Sequence, residues 1–168
     1  MNVRRIIRPS ENTAANRLKA AFFALGSTLL LAACAVSDGL PKPQLLPVMA
    51  EGDMRWFKLE SLDTEGNVRQ TSLLAVQPEQ GGLRFVQTDA LGAPVSRQSV
   101  SGKGWKNDGF VAPNAESRRL FAAMLPLLAA PGQAVYPQQV PWRSEVADGH
   151  ILIVFPDNQN WRISPLKE

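Results

Sequence analysis

Between Met54 and Val111 the sequence alternates short apolar runs with turns, and this alternation restricts the fold more than any other feature. Glu65-Gly66-Asn67 and the loop 78–82 separate successive runs, as is typical of strands bounded by turn residues. Turns this short cannot make parallel crossovers, so the sequence predicts a meander of about five antiparallel strands. The run 95–101 is polar and indicates a half-exposed or edge strand.

A single amphipathic helix is expected after this meander, over residues 114–128. Asn114 is a good N-cap residue, and Glu116 lies in the first turn, where a negative charge is favourable. Pro131-Gly132 stops the helix, and Pro126 is expected to kink or shorten its last turn. The apolar stripe covers about 160° of a helical wheel and consists of Leu120, Phe121, Met124, Leu125, Leu127 and Leu128.

Strand patterns resume after the helix, at 134–140, 142–146, 151–155 and 161–166. Asp148-Gly149 is a hairpin signal between two of them. The expected fold is therefore mainly β, of the α+β class, with an antiparallel sheet and one main helix packed on it.

The N-terminal residues have the three parts of an export signal. A basic leader precedes an apolar run of 14 residues, Ala20–Ala33, and small residues stand directly ahead of Cys34. This run is shorter than the roughly 17–25 residues that span a bilayer. Leu31-Ala32-Ala33-Cys34 resembles the lipobox of bacterial lipoproteins, which implies that Cys34 is acylated and becomes the mature N-terminus.

This resemblance divides the chain into a signal peptide (1–33), an acylated N-terminus with a Pro-rich tether (34–50) and a single domain (51–168). Leu45, Leu46 and Val48 either belong to the extended tether or already pack on the domain. In lipoproteins of the enterobacterial type, aspartate directly after the cysteine favours the inner membrane, and Ala35 occupies that place here. The resemblance implies lipid anchorage at the periplasmic face of the outer membrane.

The distribution of charge argues against nucleic acid as a partner. The formal charge of the chain is +3, but residues 1–33 hold five basic residues and one acidic residue, for +4, which leaves −1 for residues 34–168. The high isoelectric point therefore belongs to the leader, and no basic domain remains.

Catalytic and metal-binding groups are sparse. His150 is the only histidine and Cys34 the only cysteine, so no paired-histidine metal site can form within one chain, and no nucleophile elbow accompanies His150. The acidic residues are scattered over turns and strand ends, although a glycosidase-like pair can still meet in space. We expect a non-enzymatic protein with no cofactor and no metal.

Large apolar side chains are abundant, and the sequence leaves two interpretations open. They either fill a core between sheet and helix or line an apolar cavity there. In a filled core, replacing Met124 or Leu128 by alanine costs about 2–5 kcal/mol. If these side chains contact a bound lipid instead, the loss of stability is smaller and lipid uptake falls.

A family resemblance rests on the order of elements between Leu83 and Leu128. A strand, a Leu91-Gly92 turn, another strand, a strand containing Trp105 and the helix follow one another, and 160–166 closes the pattern. The order is similar to that of bacterial lipoproteins often encoded beside aryl-polyene pigment synthesis genes, which in turn resemble the periplasmic carrier LolA and the outer-membrane receptor LolB. The resemblance covers residues 54–168.

The resemblance implies a strongly bent, open antiparallel sheet, a half-barrel whose hollow accepts acyl chains under the helix. Candidate lipid-binding residues are Trp105, Phe121, Met124, Leu125 and Leu128. LolB carries an exposed apolar residue on a membrane-contacting loop, and Leu91 is the candidate here.

Two functions are expected on this basis. The first is an outer-membrane lipoprotein that binds an acyl or polyene lipid and assists lipid or lipoprotein transport or assembly, with envelope transport proteins as partners. The alternative is a non-enzymatic structural or interaction lipoprotein that has a filled core and docks an envelope complex.

Replacing Cys34 by serine tests the lipobox. We expect an uncut precursor held at the inner membrane, because the thiol that accepts the diacylglyceryl group is lost. Mass spectrometry and membrane fractionation measure this. A Cys34→Ser chain that is still processed and lipid-bound contradicts the interpretation.

Overall fold

The computed structural model describes residues 39–137 and 139–166. The predicted signal peptide, Cys34 and the start of the tether lie outside the described residues. Within them the chain forms one open antiparallel sheet of eight strands and one helix. The elements are β1 (Arg55–Leu62), β2 (Val68–Glu79), β3 (Gly82–Asp89), β4 (Pro94–Ser101), β5 (Gly104–Asn107), α1 (Ala115–Leu128), β6 (Arg143–Ala147), β7 (His150–Val154) and β8 (Asn160–Leu166).

The strand order is β5-β4-β3-β2-β1-β8-β7-β6, and every neighbouring pair is antiparallel. The predicted five-strand meander is confirmed as β1 to β5. The chain then crosses through α1 and adds a second meander to the other side of β1. The strand β1 therefore lies inside the sheet, between β2 and β8.

One face of the sheet, here called the inner face, carries the core. Residues directly opposite each other share a face, so Leu59, Ile163 and Ile151 form one apolar row across three strands. Alternation along β3 buries Leu83 and Phe85 on the same face. The helix α1 packs here, and its buried residues join the same hydrophobic cluster.

The helix begins and ends close to the predicted positions. The Asn114 side chain accepts a hydrogen bond from the Ser117 amide at 2.9 Å, as an N-cap should. Pro126 lies inside the last turn, and the helix continues to Leu128. Proline has no N–H for the carbonyl four residues earlier, that of Ala122. The Tyr136 hydroxyl donates to this carbonyl instead, at 2.8 Å.

Buried polar side chains fasten the start of α1 to the sheet. The Ser117 hydroxyl donates to Gln87 Oε1 at 2.7 Å, and Gln87 Nε2 donates to the Ser72 hydroxyl at 2.9 Å. Gln98 Nε2 donates to the Asn114 carbonyl at 2.9 Å. Satisfied buried polar groups fix one arrangement, because unpaired ones are costly.

Two expectations about strands need comment. Of the two alternatives for residues 95–101, the half-exposed strand is confirmed, because buried Ser96, Gln98 and Val100 alternate with less buried neighbours, and the edge strand is wrong, because β4 lies between β3 and β5. The described residues of 134–140 do not form a strand. They follow α1 as an irregular segment that packs Val135 and Tyr136 against the core.

The first described residues already pack on the domain. The Gln44 amide donates to the Val135 carbonyl at 2.8 Å, and Gln133 Nε2 donates to the Leu46 carbonyl at 3.2 Å. Leu46 and the buried Met49 contact the core, whereas Leu45 and Val48 are exposed.

The Tyr136 hydrogen bond can be tested by a double-mutant cycle with Pro126. Tyr136→Phe removes the donor to the Ala122 carbonyl, which should lower the free energy of unfolding by about 1–3 kcal/mol. Pro126→Ala restores a backbone N–H at the position that normally pairs with this carbonyl. Tyr136→Phe should therefore cost clearly less in the Pro126→Ala background, as measured by urea denaturation. Equal costs in both backgrounds contradict the assignment.

Candidate functional site

The five predicted lipid-binding residues lie on the inner side of the sheet. Phe121, Met124, Leu125 and Leu128 are on the buried side of α1, and Trp105 pairs with Val100 on the inner face of β5 and β4. Phe85 connects the two groups. Its ring stacks on Phe121 at 5.0 Å between centroids and meets Trp105 at 5.5 Å.

The helix residues among them are core residues in this form of the protein. Phe121, Met124 and Leu125 have no exposed surface, and Leu128 is 2% exposed. Truncating Met124 here leaves a cavity of the kind that costs about 2–5 kcal/mol. An acyl chain can therefore bind between α1 and the sheet only if the helix or the residues packed against it move.

Trp105 is different, because it is half-buried and its polar atom is unsatisfied. The indole Nε1 is buried and has no hydrogen-bond partner among the described residues. Buried tryptophan N–H groups usually find an acceptor. This donor is thus free to bind an oxygen atom of a ligand at the edge of the core.

The covering of the inner face is uneven. Eight strands at about 4.8 Å spacing span roughly 34 Å, whereas a helix is only about 10–12 Å wide. The remaining area is covered by the described residues of two irregular segments, 39–53 and 129–142, which contain neither helix nor strand. We call these two segments the irregular cover. Few long-range hydrogen bonds hold it, chiefly those of Gln44, Gln133 and Tyr136.

Two fully exposed apolar side chains lie at one end of the sheet. Leu91 is 94% exposed, at the tip of the β3–β4 turn, and Phe110 is 109% exposed, in the loop after β5. The Asp108 amide donates to the Arg97 carbonyl at 2.9 Å, which directs this loop alongside β4 towards the same end. The sequence analysis selects Leu91 as a candidate and does not select Phe110. The turn pair Asp108-Gly109 was the only signal that a loop begins there.

A polar cleft of about 670 Å³ lies near the same end. It is lined by Asp63, Glu116 and Asp157, among others. Hydrogen bonds from Asn67 hold the pKa of Asp63 below its usual value, and hydrogen bonds from Arg119 lower the pKa of Asp157. Both carboxylates are thus occupied in fixing turns and the start of α1.

Within the described parts of the chain, no group of three His, Cys, Asp or Glu side chains is arranged to hold a metal ion. The same residues include no helix long and apolar enough to cross a membrane.

Comparison of the chain with protein-family models, with curated proteins and with solved structures found no match. The fold is mainly β: residues 39–137 and 139–166 form one open eight-stranded antiparallel sheet and one helix.

Proposed function

We propose that this protein is an outer-membrane lipoprotein, anchored through acylated Cys34, that binds an acyl or polyene chain and assists lipid or lipoprotein transport or assembly. The observation that carries the proposal is the uneven covering of the sheet. A broad apolar face is closed by one helix and by the irregular cover. Segments with few hydrogen bonds open at lower cost than strands or helices.

In the proposed mechanism the sheet bends around the lipid chain. The lipid chain replaces side chains of the irregular cover and contacts α1 on its buried side. Met124 suits this exchange, because an unbranched thioether adapts to changed surroundings. Phe121, Leu125 and Leu128 supply the remaining apolar wall, and the Trp105 indole N–H donates to an ester or carboxyl oxygen. No cofactor or metal takes part, and no covalent chemistry is involved.

Leu91 and Phe110 are proposed to contact the membrane during loading or delivery. Because these two apolar side chains are so exposed at one end of the domain, they can insert into the membrane interface while the domain stays folded. Each fully buried apolar side chain contributes about 1.5–3 kcal/mol, which is enough for a transient contact.

The alternative function remains an interaction lipoprotein with a filled core that docks an envelope complex. The absence of exposed surface on Phe121, Met124 and Leu125 favours this candidate. In that case Leu91 and Phe110 contact a partner protein.

Native mass spectrometry of the full-length lipoprotein tests for bound lipid. We expect lipid adducts that leave on collisional activation, in addition to the covalently attached acyl chains. Trp105→Phe should lower the adduct fraction, because the ring is kept and the N–H donor is lost. Trp56→Phe is the matched control, since Trp56 is partly exposed and does not point to the inner face. An adduct-free wild type over several preparations removes the carrier proposal and leaves the interaction protein.

A transfer assay tests the exposed tips. We expect Leu91→Ser together with Phe110→Ser to slow several-fold the transfer of a fluorescent fatty acid from the protein to phospholipid vesicles, with the bound fraction unchanged. Val146→Ser is the control, because Val146 is 79% exposed in β6, at the opposite edge of the sheet from β5. Equal transfer rates for all variants contradict a membrane contact at these tips.

A further inference from the structure

An apolar groove of about 560 Å³ lies beside the edge strand β6. It runs between residues 139–143 and residues 154–156. Its volume is within the range of roughly 300–1,000 Å³ found for small-molecule sites. None of the lipid-binding residues selected from the sequence lines it.

The floor of the groove is aromatic and continuous with the core. Trp142 and Phe155 meet edge to face at 6.2 Å between centroids, and Tyr136 adds a further edge contact to Trp142 at 5.5 Å. Trp142 is 8% exposed and Phe155 2%, and both belong to the main hydrophobic cluster. An apolar ligand that lies on Trp142 and Phe155 therefore contacts the hydrophobic core directly, at the end of the irregular cover.

Arg143 is the one charged residue among those that line the groove, and Arg119 lies over the Phe155 ring at 4.6 Å. Arg143 is exposed, lines the groove and has no ion pair or hydrogen bond of its side chain within the described residues. Other arginines are engaged: Arg119 with Asp157 at 2.6 Å, and Arg97 with Asp108 at 3.2 Å. Glu145 lies two residues further along β6, is exposed and does not line the groove.

We propose that the groove is the entry site for an anionic single-chain amphiphile, such as a fatty acid. Its chain lies on Trp142 and Phe155, and its carboxylate pairs with the Arg143 guanidinium. The inference rests on the proposed lipid-binding function and names the class of ligand and its point of entry. Apolar walls beside one cation that has no partner within residues 39–137 and 139–166 fit a ligand with a long apolar tail and one negative head.

Photocrosslinking of the full-length protein anchored in phosphatidylcholine vesicles tests this inference. The probe is palmitic acid carrying a diazirine, with the corresponding uncharged alcohol for comparison. In the wild type we expect label on the peptides that contain Val140, Trp142 and Val154, with the acid labelling more strongly than the alcohol. Arg143→Gln should reduce labelling by the acid roughly three- to fivefold, as for an exposed ion pair, and should leave labelling by the alcohol unchanged.

Two variants serve as controls. Arg69→Gln removes another exposed arginine, which lies in β2 away from the groove, and should change nothing. Val154→Asp places a charge in the apolar wall and should reduce labelling by both probes. Thermal melts confirm that each variant is folded, and the Arg143→Gln result decides the matter if Val154→Asp does not fold.

The outcomes separate this inference from the proposed function. Label confined to α1 peptides, with no effect of the groove variants, overturns the groove as entry site and leaves lipid binding under the helix. Equal labelling by acid and alcohol in the wild type overturns the role of Arg143. A complete lack of specific labelling overturns both proposals.

Discussion

The packing of α1 on the inner face of the sheet is the contact on which the rest of the structure depends. Phe121 stacks on Phe85, and Phe85 meets Trp105, so one row of rings joins the helix, the strand β3 and the edge strand β5. The strand β5 is only four residues long. An edge strand this short is held by side-chain packing as much as by its ladder of hydrogen bonds.

The helix is narrower than the sheet, and this mismatch shapes the remainder of the domain. The irregular cover closes the area that α1 does not reach, and the apolar groove opens at its end. One of the hydrogen bonds that hold the irregular cover in place depends on a proline in the helix. Pro126 leaves the Ala122 carbonyl without its usual donor, and the Tyr136 hydroxyl supplies one. Burial raises the pKa of Tyr136, so this hydroxyl stays protonated and keeps donating.

Much of the charge of the domain is paired on its surface. Asp108 forms ion pairs with Arg84 and Arg97, and the mostly buried Glu60 lies between Lys58 and Arg162. Such pairs contribute little stability at exposed positions, but they remove free charges from the surface. Leu91 and Phe110 differ from this background because their apolar side chains are exposed. Arg143 differs because it has no charged partner among the described residues and lines an apolar groove.

The sequence by itself determined the local elements. Turn residues and the alternation of apolar side chains located the strands of the first meander, and Asn114, Glu116 and the apolar stripe located α1. Asp148-Gly149 marked the β6–β7 hairpin because both residues adopt positive φ there, 48° and 76°. These signals are local, since each depends on neighbours within a few residues.

Only the tertiary structure decided which strands are neighbours and which side chains are buried. The polar run of β4 indicates a half-exposed or an edge strand, and only the pairing with β5 excludes the edge position. Gln98 is buried there, and its amide donates to the Asn114 carbonyl and to the Ser96 hydroxyl. The pairing of β8 with β1 joins the two ends of the domain, and no local pattern encodes it. Phe85 and Phe110 are the same residue type, one fully buried and one fully exposed. Burial depends on contacts between residues far apart in the chain, and these form only when the helix and both meanders pack together.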